Sequence, residues 1–431
     1  MRAWMRLAIA VLLLASCTSG GRRQTLPASD LTIPPAATRA QDVATAIDEY
    51  LQSHPDPDFA VRRSRLLDEA NELKVRADDL PASAFLVELM RLLALPGRVG
   101  GRDGHTGVFP LDDHQTELHL LPLRLYWFPD GMMVVDATAP YRHLVGSEIV
   151  AIGTQRIQQA IDAVEPLVPR DNVMTMKARL PQYLVVTEIL EGLRIAPAGA
   201  TTLEFRRDRT RFRDTVHPIS AEQFADRFAI WHEMIPPSLP ERDEPLYLRN
   251  VSKEFVLTYL ERQDTLYLQY NQATFDTSDL SRRLTRLIRH REPAKLVIDL
   301  RHNPGGDNTT YRSLLGAIKR SALNRPGRLF AIIGRSTFSA AGHFATELER
   351  ETHVTFAGEL GGYSPNGFGD PNYAVLMASG IIVNVGAVYW EKSRAGDRRL
   401  AVRPAIRGIT RSDDFFSRRD PVLEAILVER S

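Results

Sequence analysis

The chain has 431 residues, 44% apolar and 25% charged, which is ordinary globular usage at a length suggesting about two to four domains. This excludes a disordered chain, a collagen-like chain and a polytopic membrane protein. Lys+Arg number 54 and Asp+Glu 53, for a formal net charge of +1, so no global basic field exists to hold nucleic acid.

The N-terminus reads as an export signal. Arg2 and Arg6 precede the apolar run Leu7–Ala15, and Leu14-Ala15-Ser16-Cys17 follows with small residues behind it. The run is too short to span a bilayer. Its ending resembles a bacterial lipobox, which implies that residues 1–17 are a lipoprotein signal and that Cys17 is lipidated. Cys17 is the one cysteine of the chain, so no internal disulfide can form. Thr18 behind it favours the outer membrane, facing the periplasm. Residues 18–40, rich in Ser, Thr, Pro, Ala and Gly, read as a flexible tether.

Residues 41–100 are helical by periodicity, with Val43, Ile47, Tyr50 and Leu51, then Phe85, Leu86, Leu89, Leu92 and Leu93, at helix spacing. Residues 101–220 open on the Gly-rich turn Gly101-Arg102-Asp103-Gly104-His105-Thr106-Gly107 and turn to strands. Pro122 predicts an edge strand or a bulge. Gly146-Ser147-Glu148-Ile149-Val150-Ala151-Ile152-Gly153 and a helix near Ile157–Leu167 resemble part of a PDZ domain. Residues 170–250, rich in Arg and Pro, read as connecting structure with a few strands. From residue 255 onward, within the segment 221–431, strands and helices alternate. Phe255–Leu260 and Thr265–Tyr270 are paired strands, and Leu280–Ile288, Leu314–Ile318 and Ala340–Glu349 are helices. Lys295–Leu300 and Leu329–Ile333 are unbroken apolar runs of buried strands. The fold class expected is a multi-domain α/β protein.

Three segments carry candidate chemistry. In Asp299-Leu300-Arg301-His302-Asn303-Pro304-Gly305-Gly306 two glycines follow a buried strand, where backbone N–H groups can turn outward as a nest. Ser339 stands at a strand-to-helix junction. There it is either a nucleophile beside free N–H groups or a helix N-cap. His105 lies in the Gly-rich turn, mobile and partly exposed. Of the rest, His343 lies four residues after Ser339 on one helix face and reads as a packing residue. His302 reads as solvated. Asp112, Asp113 and His114 lack the partners a metal needs, and no Cys/His cluster or metalloprotease helix is present. Aromatic residues are 8% and do not interleave with a basic patch, so no nucleic-acid site is expected.

Together, Leu296–Gly306, Thr337-Phe338-Ser339-Ala340, Gly358-Glu359, Gly362-Tyr363-Ser364-Pro365-Asn366 and Arg403-Pro404-Ala405-Ile406 resemble the C-terminal-processing (tail-specific) and tricorn-type serine peptidases, over roughly residues 95–430. The resemblance implies a small helical N-terminal domain, a PDZ-like β-rich segment and an α/β peptidase core of the ClpP/crotonase-like type. It makes Ser339 the nucleophile and the N–H of Ala340, with that of Gly305 or Gly306, the oxyanion hole. The processing branch pairs its serine with a lysine 25 residues later. Ser364 occupies that position here, and the six lysines (Lys74, Lys177, Lys253, Lys295, Lys319, Lys392) lie elsewhere. The tricorn-type branch uses a histidine from before the PDZ-like segment, as His105 is, with a late carboxylate. Asp397 falls near that place, with Glu391 as its rival. The function expected is an envelope-anchored serine peptidase acting on peptide or protein without metal or cofactor. The alternative is an inactive relative that binds peptide or envelope polymer.

Overall fold

The computed structural model describes residues 37–110, 118–228 and 244–429. The export signal, Cys17 and most of the tether lie outside the described residues, as do Asp112, Asp113 and His114.

Thr38 starts the first helix. Its Oγ1 accepts the Gln41 N–H while the Gln41 side chain accepts the Thr38 N–H, which occupies two donors that a helix start leaves open. α1 (Arg39–Ser53) buries Val43, Ala46, Ile47 and Tyr50 at helical spacing. α2 (Arg63–Arg76) and the apolar α3 (Ala82–Gly100) follow. α3 stops at Gly101, whose φ of 65° suits glycine, and the Gly-rich turn begins there.

Strands β1 (Leu123–Phe128), β2 (Gly131–Ala137), β3 (Glu148–Ile152), β4 (Thr201–Arg207) and β5 (Thr210–Val216) pair antiparallel in that order. The irregularity expected beside Pro122 falls between Arg124 and Leu125. Helix α4 (Ile157–Val164) matches its predicted place. The described residues 170–228 and 244–250 hold more order than their composition suggested. α5 (Val173–Tyr183) and α6 (Thr187–Gly192) precede β4. β4 and β5 look polar because their arginines lie on the solvent side, where Arg211 and Arg213 pair with Glu204. Thr201, Leu203 and Phe205 alternate inward.

The second half is a six-stranded sheet. β6 (Phe255–Leu260) pairs antiparallel with β7 (Thr265–Tyr270), after which helices alternate with parallel strands. These are α7 (Ser278–Arg291), β8 (Lys295–Asp299), α8 (Arg312–Lys319), β9 (Leu329–Ile333), α9 (Ser339–Glu351) and β10 (Thr355–Gly358). The two-residue β13 (Ile406–Arg407) closes the order β13-β10-β9-β8-β7-β6. β8 and β9 are fully buried, with the apolar runs Leu296-Val297-Ile298 and Leu329–Ile333 at their centres. One face of the sheet packs on α7, α8 and α9, and the other on α10 (Pro421–Val428).

Between β10 and β13 the chain extends a long hairpin, β11 (Asn366–Val375) with β12 (Ile382–Glu391). Its far end, with Leu376, Ile381, Val383 and Val385, enters the same apolar core as α1, α3 and the antiparallel sheet. Asp42 of α1 accepts the N–H groups of Ala378 and Ser379 at the hairpin tip, at 3.0 and 2.8 Å. The base of the hairpin pairs with the Gly-rich turn. Phe368 N–H donates to Arg102 C=O at 2.8 Å, and Gly107 and Asn384 exchange backbone bonds of 2.9 Å. The hairpin thus carries the turn from the N-terminal half to the carboxyl ends of β8 and β9, where an α/β sheet places its ligand.

Candidate active site

Ser339 begins α9 directly after β9. Phe338 takes the N-cap position and makes no side-chain cap bond, so the N-cap reading of Ser339 does not hold. Ser339 has φ 48°, a left-handed conformation that costs a non-glycine residue about 1–3 kcal/mol and clusters at functional sites. Its Oγ lies 3.2 Å from His105 Nε2, although 234 residues separate the two.

The other nitrogen of His105 fixes the direction of proton flow. Nδ1 stands 2.9 Å from the Phe368 carbonyl oxygen. A carbonyl only accepts, so Nδ1 carries the hydrogen and Nε2 presents a lone pair to Ser339. This is the tautomer a general base needs. The ring stacks on Phe338, centroids 4.6 Å apart. The Arg179 guanidinium lies 4.7 Å from the Phe338 ring centre and donates to Gly104 C=O at 2.7 Å. Withdrawal from water first, and Arg179 second, push the His105 pKa down to about 4, while Asp103 and the bond to Phe368 pull it upward. His105 is therefore neutral at pH 7.

Two elements hold the His105 turn. Asp171 accepts Gly104 N–H at 2.7 Å with one carboxylate oxygen and Ser364 N–H at 2.9 Å with the other. Burial raises its pKa to about 6 against the pull of those two bonds. Asn172 caps α5 through Oδ1, which accepts from Met174 and Thr175, and its amide donates to the carbonyls of Gly361 and Leu400.

The glycine turn after β8 lies against Ser339. Gly305 and Gly306 have φ of 111° and 132°, which glycine alone adopts readily. Gly305 N–H donates to Asn303 Oδ1 at 3.0 Å, so Gly305 shapes the turn and is not a free oxyanion donor. The short bridge to Ala273 uses Gly305 C=O and Asp307 N–H and leaves the Gly306 N–H outside it. Ala340 N–H, at the start of α9, likewise makes no bond among the described residues. These two N–H groups can receive negative charge.

Asp397 is not brought to His105. Arg399 binds both of its oxygens and Ser393 Oγ donates to it at 2.6 Å, which holds its carboxyl well below the usual range. The expected role fails because an arginine two residues away takes the carboxylate. Its rival Glu391 is exposed at the end of β12. Ser364 is buried and donates to Leu400 C=O at 3.2 Å. His302, expected in solvent, is buried beside Tyr247, ring centroids 5.8 Å apart. His343 is half-buried, tilted against Trp390 at 5.5 Å, and pushed by burial and then Lys392 down to about 3. Phe368 was not foreseen, because its contribution is a backbone carbonyl and leaves no mark in residue type.

No protein-family model matches the chain and no curated protein matches it. Solved structures do. A serine-to-alanine mutant of CPAF superposes with a TM-score of 0.61 at 14% identity, covering 91% of this chain and 98% of that one. Mature CPAF complexed with lactacystin gives 0.56 at 13%, covering 88% and 95%. The photosystem II D1 C-terminal processing protease aligns over 91% of this chain and 97% of its own at 12% identity, with a TM-score of 0.42. Of these neighbours, the photosystem II D1 enzyme is named a C-terminal processing protease. The chain has the multi-domain α/β fold of the CPAF structures, as the motifs implied.

Proposed function

We propose that this protein is a serine peptidase of the histidine-based kind, acting on peptide or protein. The observation that carries the reading is the His105 Nε2 to Ser339 Oγ contact of 3.2 Å, with Nδ1–H donated to Phe368. Ser339 Oγ attacks the peptide carbonyl carbon and His105 takes its proton. Ala340 and Gly306 N–H receive the oxyanion, and His105 returns the proton to the leaving amine. Water then repeats the cycle and frees Ser339. Ser364, where the processing branch has lysine, plays no part as a base.

A fluorophosphonate probe and a cleavable peptide test this, with lactacystin, bound in one CPAF structure, as a second probe. Wild type should label and cleave. Ser339→Ala should do neither while melting normally, and His105→Ala should lose about 10²–10⁴-fold in turnover. Wild type that never labels beside a competent control would favour the inactive, peptide-binding alternative.

We place the protein in the cell envelope, lipid-anchored at Cys17, on the strength of the Leu-Ala-Ser-Cys ending and the apolar run before it. Cys17→Ser should move it from the membrane to the soluble fraction. A mutant that stays with membranes, together with wild type free of acyl mass, rejects the anchor.

A further inference from the structure

A buried carboxylate other than Asp397 stands beside the His105 turn. Asp103 is 0% exposed and precedes His105 by two residues. Its Oδ1 accepts the Thr106 N–H at 3.1 Å, so the side chain spans the backbone on both sides of His105. On β12 a glycine makes room for it, since a Cβ at Gly386 would lie 3.2 Å from that oxygen. Oδ2 faces His54 Nε2 at 3.5 Å, with both side chains wholly buried. Neither atom has a closer partner among the described residues. His54 closes α1, and its Nδ1 accepts the Asp56 N–H at 3.2 Å. The imidazole hydrogen is therefore on Nε2, on the Asp103 side. The same ring packs on Phe368 at 4.2 Å between centroids, the residue whose carbonyl orients His105.

We propose that Asp103, held by His54, is the positioning residue that supplies the negative charge behind His105, in place of Asp397. The assignment rests on the serine-peptidase reading above. When Ser339 passes its proton to Nε2, His105 becomes an imidazolium, and a nearby carboxylate shielded from water stabilises it more than an exposed one could. Asp103 acts through the turn and its field, because Phe368 already occupies Nδ1. The titratable and charged groups around His105 are Asp103 on its own turn, Arg179 on α5 and His343 on α9. From the hairpin, Phe368 offers its carbonyl and Gly369 lies against the ring, where a Cβ would stand 3.7 Å from His105 Cε1, with Asp370 beside it and Lys392 acting on His343. Around Asp103 stand Tyr50 and His54 on α1 and Asp171 before α5. Burial, and then the Asp103 charge, push the Tyr50 phenol far up, so it stays neutral. His54 faces Asp103 with the ring nitrogen that carries its hydrogen. Arg179 is the opposing charge, and Asp103 offsets part of its effect on His105.

Asp103→Asn tests this in the full chain, since asparagine keeps the acceptor for Thr106 and nearly the same shape. With active sites counted by fluorophosphonate, kcat should fall about tenfold, the equivalent of one pKa unit, and KM should stay within about twofold. The acid limb of kcat/KM should move to lower pH, because His105 without the anion is harder to protonate. His54→Phe keeps the ring against Phe368 and removes the donor. It should lower kcat in the same direction and add nothing on top of Asp103→Asn. NMR titration of the His105 ring in wild type and Asp103→Asn reads the same charge without turnover, so it decides the matter even in a protein that cleaves nothing. A lower His105 pKa in the variant supports the assignment. An unmoved His105 pKa overturns it, as does an unchanged kcat in an enzyme that turns over. Wild type with no labelling and no cleavage overturns the peptidase reading instead.

Discussion

Gly305 and Ser339 meet backbone to backbone. A Cβ at Gly305 would stand 2.7 Å from Ser339 Cβ and 2.9 Å from the Ala340 nitrogen, closer than real Cβ atoms come to their neighbours. The turn after β8 therefore packs directly on the turn after β9, and the only residue that fits between them has no side chain.

Gly305→Ala should push the two turns apart. The Ala340 N–H would shift from the place where an oxyanion forms, at a loss comparable to removing one donor, about 10²–10³ in kcat. The φ of 111° adds strain for alanine of about 1–3 kcal/mol. Fluorophosphonate labelling rates and thermal melting on one preparation measure both. Labelling at the wild-type rate would show that this contact does not shape the site.

The parts of this architecture that were legible in the sequence are local ones. Strands β8 and β9 announce themselves because burial on both faces demands apolar runs at their centres. Gly305, Gly306, Ser339 and His105 stand out because each sits in a glycine-marked turn or at an element junction. The relation of His105 to its orienting group was not legible. That group is a carbonyl, and its position depends on how a hairpin anchored by Asp42 at its far end bends the chain. Asp397 misled for a similar reason. Its fate is set by Arg399, which in turn is held by Glu349 on α9. Helices α5 and α6 were hidden because arginines and prolines dominate their surroundings, although Asn172 is a readable N-cap.

Ser364→Lys should not create a faster enzyme. Ser364 is 4% exposed, and the Asp171 oxygens beside it already accept from Ser364 and Gly104. A lysine there must leave water and displace packed atoms, at a cost of about 1–3 kcal/mol. The Ser339 hydroxyl is already served by His105. The expected result is a lower melting temperature with kcat no higher than wild type. A clear rise in kcat would mean that histidine is not the sole base the site can use.

Asn172→Ala should weaken both stability and catalysis. The side chain caps α5 and donates to the carbonyls of Gly361, Tyr363 and Leu400. Losing a cap costs about 0.5–2 kcal/mol and leaving buried acceptors unpaired about 1–3 more. Because α5 carries Arg179, which holds the Gly104 carbonyl, kcat should fall as well. Chemical denaturation gives the first number and peptide turnover the second. A stable variant with full activity would show that α5 does not need its cap to place Arg179.

The pH dependence follows from two groups with opposite signs. The base must be neutral, and His105 titrates at about 4, so kcat/KM should persist well below the pH near 6.5 at which an ordinary histidine charges, and fail towards pH 4. A shallow step near 6 is expected from Asp171, which gives up one N–H bond when it protonates. Arg179→Met removes a charge that disfavours the imidazolium and should move the acid limb upward. Stability behaves differently. Between 6.5 and about 4 the unfolded chain binds the proton that folded His105 refuses, so this group destabilises the fold as pH falls. Asp171 rises from 3.8 to about 6 on folding, so here the folded chain binds the extra proton, and its contribution is lost as pH rises through that window. The two windows overlap and oppose. His343, pushed down to about 3, has the same sign as His105, so melting temperature should fall between pH 6.5 and 4 in the wild type, more steeply in Asp171→Asn and less steeply in His105→Ala. Activity that dies near pH 6.5, or two variants with the same slope, would show that burial does not set these two titrations.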